Sequence, residues 1–171
     1  MNNTNNPKLG TNHFFEHQLI KGKITETIFD QMFREGNDFI VIPFGYESIL
    51  PEITQYAEGR SAELLKDNIR HAPDFALISP NHNGIYLVEV KYRAILDMED
   101  ICDIAEKIHK RWKLVWLFVA TQDGFYFDSC ANILHKKEVT PLATSWIPQE
   151  LQNEYLDILK HFVKNRTKIK T

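Results

Sequence analysis

The chain has 171 residues, 43% hydrophobic and 25% charged, with a formal net charge of −3. This is the composition of one ordinary globular domain, long enough to bury a core without staples. Two cysteines exclude a disulfide framework, and the longest apolar run, Leu114 to Ala120, is far too short to span a bilayer. The N-terminus has no apolar h-region, so the expectation is a cytoplasmic protein with no membrane partner. The charge is unevenly spread: residues 1–100 carry −6 and residues 101–171 carry +3. Basic clusters lie at Lys107, Lys110, Arg111 and Lys113, and again from Lys160 to Lys170. They read either as solvated surface or as a patch that tracks a nucleic-acid backbone beside an acidic pocket.

Along the chain, the Asn-rich opening predicts a disordered or loosely packed segment over residues 1–20. Ile24, Ile28, Phe29, Met32 and Phe33 recur at helical spacing and predict a helix over 22–35, with Gly36 as its stop. Glu26 falls at the rim of that buried face. Phe39 to Phe44 reads as a strand, and residues 61–70 as a short helix. Phe75 to Ser79 and Ile85 to Arg93 read as two strands of a hairpin, joined by Asn81-His82-Asn83-Gly84. Met98, Ile101, Cys102, Ala105, Ile108 and Trp112 form a helical stripe over 97–111. Leu114 to Ala120 is a buried strand, and Phe125-Tyr126-Phe127 an edge strand whose apolar side is the candidate contact of a homodimer. A last helix opens near Pro148, with Leu151, Tyr155, Ile158, Leu159, Phe162 and Val163 as its inner face. The elements predict a single α/β domain with a central mixed sheet flanked by helices.

The hairpin carries the chemistry. With its turn centred between His82 and Asn83, Asp74 falls opposite Lys91 and Ala76 opposite Glu89. Alternation then places Asp74, Ala76, Glu89 and Lys91 on one face, and Phe75, Leu77, Val88 and Val90 on the other. Charges inside a central strand are costly unless paired or bound to a metal. Two readings stay open on this geometry. One is a structural salt bridge between Lys91 and the two acids. The other is a hard-cation site, in which two carboxylates, a strand carbonyl and waters suit Mg²⁺. A water with its pKa lowered by such an ion is a nucleophile at neutral pH, and a lysine beside it can orient the water or offset phosphoryl charge.

Pro73-Asp74, a gap of 14 residues and then Glu89-Val90-Lys91 resembles the PD-(D/E)xK nuclease superfamily. Glu26 on an upstream helix, Gly22-Lys23-Ile24-Thr25-Glu26 and Val88-Glu89-Val90-Lys91-Tyr92-Arg93 look most like its Holliday-junction-resolvase-like branch. The resemblance covers roughly residues 20–128. It implies a restriction-endonuclease-like core over 21–128, with 129–171 as a C-terminal helical extension. It also implies a metal-dependent endonuclease acting on DNA. Asp74 and Glu89 would ligate Mg²⁺, with Mn²⁺ as a substitute, joined by the Val90 carbonyl. Glu26 would assist at the metal, directly or through water, and Lys91 would position the attacking water. Arg93 and Arg70 are candidate phosphate contacts. Family members often carry a Gln or Lys on the helix after the E-x-K motif, a place that only Lys107 or Lys110 can fill here. The stretch from Ser48 to Ala72 is long for a resolvase-like linker.

Two other readings compete. A catalytically inactive nucleic-acid-binding member of the same fold would share these residues. His13-Phe14-Phe15-Glu16-His17 matches the H-x-x-E-H pattern of inverted zinc peptidases, with His13 and His17 as ligands on one helix face. It has no third ligand in view. Cys102 and Cys130 read as buried apolar residues, and Trp112 and Trp116 as core. The absence of any glycine-rich phosphate loop disfavours a nucleotide-binding enzyme.

Overall fold

The apolar arc of the first helix organises one half of the core. In the computed structural model, which describes residues 9–44, 63 and 71–165, α1 runs Leu9–Asn37. Its Ile28, Phe29, Met32 and Phe33 are buried and Ile24 packs beside them, as the spacing predicts. The helix starts at Leu9 rather than near residue 22, and it passes through Gly36, the expected stop. Asp38 takes the left-handed position beyond its end, with φ 56°. Gly36 serves close packing instead: a Cβ there would lie 2.6 Å from the Ile147 side chain.

The strands are β1 (Ile40–Pro43), β2 (Phe75–Ile78), β3 (Ile85–Tyr92), β4 (Val115–Ala120) and β5 (Phe125–Ser129). They form one mixed sheet in chain order, antiparallel except for the parallel pair β3 and β4. A parallel pair needs a crossover, and α2 (Met98–Arg111) supplies it. Asp97 caps α2 by accepting from the Glu99 N–H at 3.0 Å. Two helices follow β5: α3 (Cys130–Lys136) and α4 (Gln149–Asn165). α1 and α4 cover one face of the sheet, and α2 and α3 the other. The chain is therefore a single α/β domain whose mixed sheet is flanked by helices, the expected class. Among the described residues no helix is long and apolar enough to cross a membrane.

Several details differ from expectation. α3 has no counterpart in the sequence reading, because seven residues are too few to show a period. Ile158 and Phe162 do not face the core; the buried side of α4 is formed by Gln152, Leu159 and Val163. Gln152 is tolerated there because its amide donates to the Leu142 and Ile147 carbonyls at 3.1 and 2.8 Å. The β5 edge is not available for a homodimer. Phe125 and Phe127 are buried in the core. The Phe127 N–H donates to the Thr140 carbonyl, and the Leu142 N–H to the Phe125 carbonyl, each at 2.9 Å. The expected helix over 61–70 and most of the Ser48–Ala72 stretch, including Arg70, lie outside the described residues.

Candidate functional site

The site is built on the β2–β3 hairpin. Phe75 pairs with Val88 and Ile78 with Ile85, so the hairpin centres between Asn81 and His82. The expected register is thus displaced by two residues, and Asp74 falls opposite Glu89 rather than Lys91. The loop chemistry explains this. His82 adopts the left-handed conformation (φ 56°), and the Asn81 side chain accepts from Ser79 Oγ and from the Asn83 N–H. The Tyr86 side chain lies over Gly84, its hydroxyl 2.6 Å from where a Cβ would stand. A displacement of two leaves every side chain on its expected face. Val88, Val90 and Tyr92 are buried towards α1, while Glu89 and Lys91 share the opposite face.

Asp74 closes the start of β2. Its carbonyl accepts from the Phe44 N–H at 2.8 Å, and its Oδ2 accepts from the Val90 N–H at 2.8 Å. Glu89 and Lys91 form a direct ion pair in which the Glu89 side chain is 14% exposed and that of Lys91 33%. Burial, and next the neighbouring Glu89 charge, push the Asp74 carboxyl up to about 7 from an ordinary 3.8; Lys91 and the Val90 N–H oppose them, and Glu26 adds a smaller push. Burial pulls the Lys91 ammonium down, but Glu89 and Asp74 outweigh it and its pKa ends above the ordinary lysine value. Lys91 therefore stays charged while Asp74 is poised to exchange a proton near neutrality. Behind Glu89, the Cys130 thiol is pushed up to about 12 by burial, then by Glu89 and Asp128. It is an inert core group, as expected.

The structure thus brings Asp74, Glu89 and Lys91 together. Glu26 lies at the rim, where its carboxylate accepts from Lys23 at 2.9 Å. Arg93 is clamped by Asp100 of α2 through Nε and Nη2, and its Nη1 donates to the Tyr92 carbonyl at 2.9 Å. The structure does not bring Lys107 or Lys110 together with Asp74, Glu89 and Lys91. Both are exposed on the side of α2 turned from the sheet, and Lys110 pairs with Glu106 at 3.0 Å. The helix period makes this unavoidable once Ile101 and Ala105 are buried.

His13 and His17 lie one turn apart on α1, and their side chains are outside the described part of the structure. No group of three His, Cys, Asp or Glu side chains able to hold a metal is found among the described residues. Two features were not read from sequence. Trp112 donates its indole N–H to the His71 carbonyl at 2.9 Å and meets edge-on, at 5.7 Å, the ring of Phe44, whose N–H donates to the Asp74 carbonyl. Asp100 is the partner of Arg93. The first-turn acid of an N-capped helix following a strand basic residue is a signal that could have found it. Comparison with models of known families and with curated proteins finds no match to this chain.

Proposed function

We propose that this protein is a Mg²⁺-dependent endonuclease of the PD-(D/E)xK type, hydrolysing phosphodiester bonds in DNA on a restriction-endonuclease-like core. The observation that carries the proposal is the convergence of Asp74, Glu89 and Lys91 at one end of the hairpin, two carboxylates in a desolvated place with one lysine between strand and solvent. Two crowded carboxylates share the single charge of Lys91, and burial beside Glu89 raises the Asp74 carboxyl to about 7. Hard oxygen donors in that number suit Mg²⁺, which takes one or two carboxylates and completes its shell with water and substrate phosphate. Mn²⁺ would fit the same donors.

Asp74 and Glu89 would hold the ion. The Val90 carbonyl would join them, because a residue's N–H and C=O point to the same side of a strand and the Val90 N–H already meets Asp74. When bound, the ion supplies Lewis acidity towards a phosphoryl oxygen and lowers the pKa of a water. The chain's own groups do the rest. Lys91, held charged, offsets negative charge developing on the phosphoryl group and orients the attacking water. Glu26, at the rim of α1, would assist through water. Arg93, positioned by Asp100, keeps N–H groups for a phosphate of the bound strand.

The test is cleavage of a mixed panel in Mg²⁺ or Mn²⁺: linear duplex, single-stranded DNA, a four-way junction and RNA. Wild type should cut at least one DNA member, and EDTA should stop it. A folded wild type that binds DNA and cuts nothing would favour the inactive binding member of the fold. Cutting of RNA alone would overturn the DNA assignment.

A further inference from the structure

The buried stripe of α1 extends into a cation. Lys21 lies one helical turn before Thr25 and two before Ile28, both buried, so the period turns it towards the sheet. There it meets the end of β3, its ammonium 5.3 Å from the centre of the Tyr92 ring. Tyr92 is buried on the α1 side of the sheet. Lys91 and Arg93 alternate with it and turn to the other side, where Asp100 of α2 holds Arg93. The Glu26 charge, further along α1, is felt at Asp74, so this part of the helix borders the candidate site.

The neighbouring basic groups are already matched. Lys23 pairs with Glu26, Lys91 with Glu89 and Arg93 with Asp100. Among the described residues no acid pairs with Lys21; its partner is the ring. A carboxylate fixes a cation by cancelling its charge. A ring face fixes it and leaves the charge and the N–H donors for a ligand. The Tyr92 hydroxyl is buried with no hydrogen-bond partner among the described residues, so what Tyr92 offers here is its ring. A phosphate that approaches Asp74, Glu89 and Glu26 is repelled unless an uncancelled cation stands beside its path. We propose that Lys21, steadied on Tyr92, binds a backbone phosphate of the substrate strand on the opposite side of β3 from Arg93. The strand then crosses the end of β3 from α1 to α2, and Lys21 and Arg93 hold phosphates on either side of the one that is cut. Lys21 is a binding residue in this arrangement and Tyr92 the residue that positions it. The inference rests on the proposed hydrolysis.

The test is the affinity of the full chain for labelled duplex and single-stranded DNA in EDTA, by fluorescence anisotropy from about 50 to 200 mM salt, with cleavage in Mg²⁺ measured alongside. Lys21→Met should bind about tenfold more weakly at the lowest salt. Its plot of log affinity against log salt should be shallower by about 0.9 on duplex or about 0.7 on single strands, the slope of one phosphate contact. In cleavage it should raise KM and leave kcat within about twofold, because the contact is the same in ground and transition states. Tyr92→Phe keeps the ring and should match wild type. Tyr92→Leu, shown to be folded by circular dichroism, should bind about threefold more weakly with the wild-type salt slope, since the charge remains. A folded Lys21→Met with wild-type affinity and slope would overturn the inference and leave the hydrolysis standing if wild type cuts. So would a Tyr92→Phe as weak as Tyr92→Leu. A wild type that binds DNA and cuts nothing overturns the hydrolysis, and the slope still decides Lys21. A wild type that binds no DNA overturns both.

Discussion

Replacing Asp74 with asparagine should make the metal-free protein more stable, and increasingly so as the pH rises. The Asp74 carboxyl sits at about 7 in the fold against an ordinary 3.8, raised first by burial and then by Glu89. Between those values the folded chain holds a proton that the unfolded chain has released. Stability therefore falls with rising pH across that window: the group costs nothing below 3.8 and its full cost is present above 7. Integrating the linkage from pH 5 to pH 8 gives a loss of roughly 3 kcal/mol from this one side chain. Asparagine keeps an oxygen for the Val90 N–H and has no proton to lose. The stability gap between Asp74→Asn and wild type should thus widen in the variant's favour by roughly 3 kcal/mol over the same interval. Urea unfolding in EDTA, followed by tryptophan fluorescence at several pH values, measures the gap directly. Stability profiles that stay parallel, or a wild type that gains on the variant as pH rises, would refute the reasoning.

Adding Mn²⁺ at pH 8 should narrow that gap. Wild type should gain about 2.7 kcal/mol at a hundred times the Kd, and Asp74→Asn should gain much less, as thermal melts would record. Lys91→Met should lower stability by roughly 3 kcal/mol, because it leaves Glu89 buried without its cation; in Glu89→Gln/Lys91→Met the combined loss should fall short of the sum of the singles in denaturant titrations. Asp97→Ala removes the cap of α2 and should cost about 1 kcal/mol by the same titrations. Cys130 should resist a thiol reagent at pH 8 in the native protein and react at once in denaturant, since its thiol is buried and pushed up to about 12.

The sequence was legible wherever burial dictates a period. The α1 arc was recovered residue by residue, because four of its five side chains are buried at helical spacing and Ile24 packs on them. The faces of β2 and β3 were recovered for the same reason, and with them the convergence of Asp74, Glu89 and Lys91. The register was not, because it is set by hydrogen bonds among Ser79, Asn81 and Asn83 and by the left-handed His82. Centring the turn in the middle of Asn81 to Gly84 put it one residue too late. Alternation protects a site from an error of two residues, so the chemistry was readable although the pairing was not.

What escaped is tertiary. Phe125 and Phe127 read as a free apolar edge because nothing local announces that residues 140–142 bond back to it. Ile158 and Phe162 read as core because apolar side chains at i and i+4 are core in most surface helices. The inward position of Gln152, satisfied by two carbonyls, rotates the helix and leaves that pair outside. Lys107 and Lys110 were placed by their distance along the chain from the E-x-K motif, and the buried Ile101 and Ala105 turn them away.

One measurement bears most directly on the central claim. Wild type, Asp74→Asn and Lys91→Ala, each shown to be folded by circular dichroism, are compared on end-labelled DNA in Mg²⁺, Mn²⁺ and EDTA. The expected result is metal-dependent cutting by wild type, none in EDTA, and a loss of at least about a hundredfold in both variants with DNA binding retained. Cutting by wild type that survives both substitutions, or that proceeds unchanged in EDTA, would contradict a metal-dependent centre at Asp74, Glu89 and Lys91.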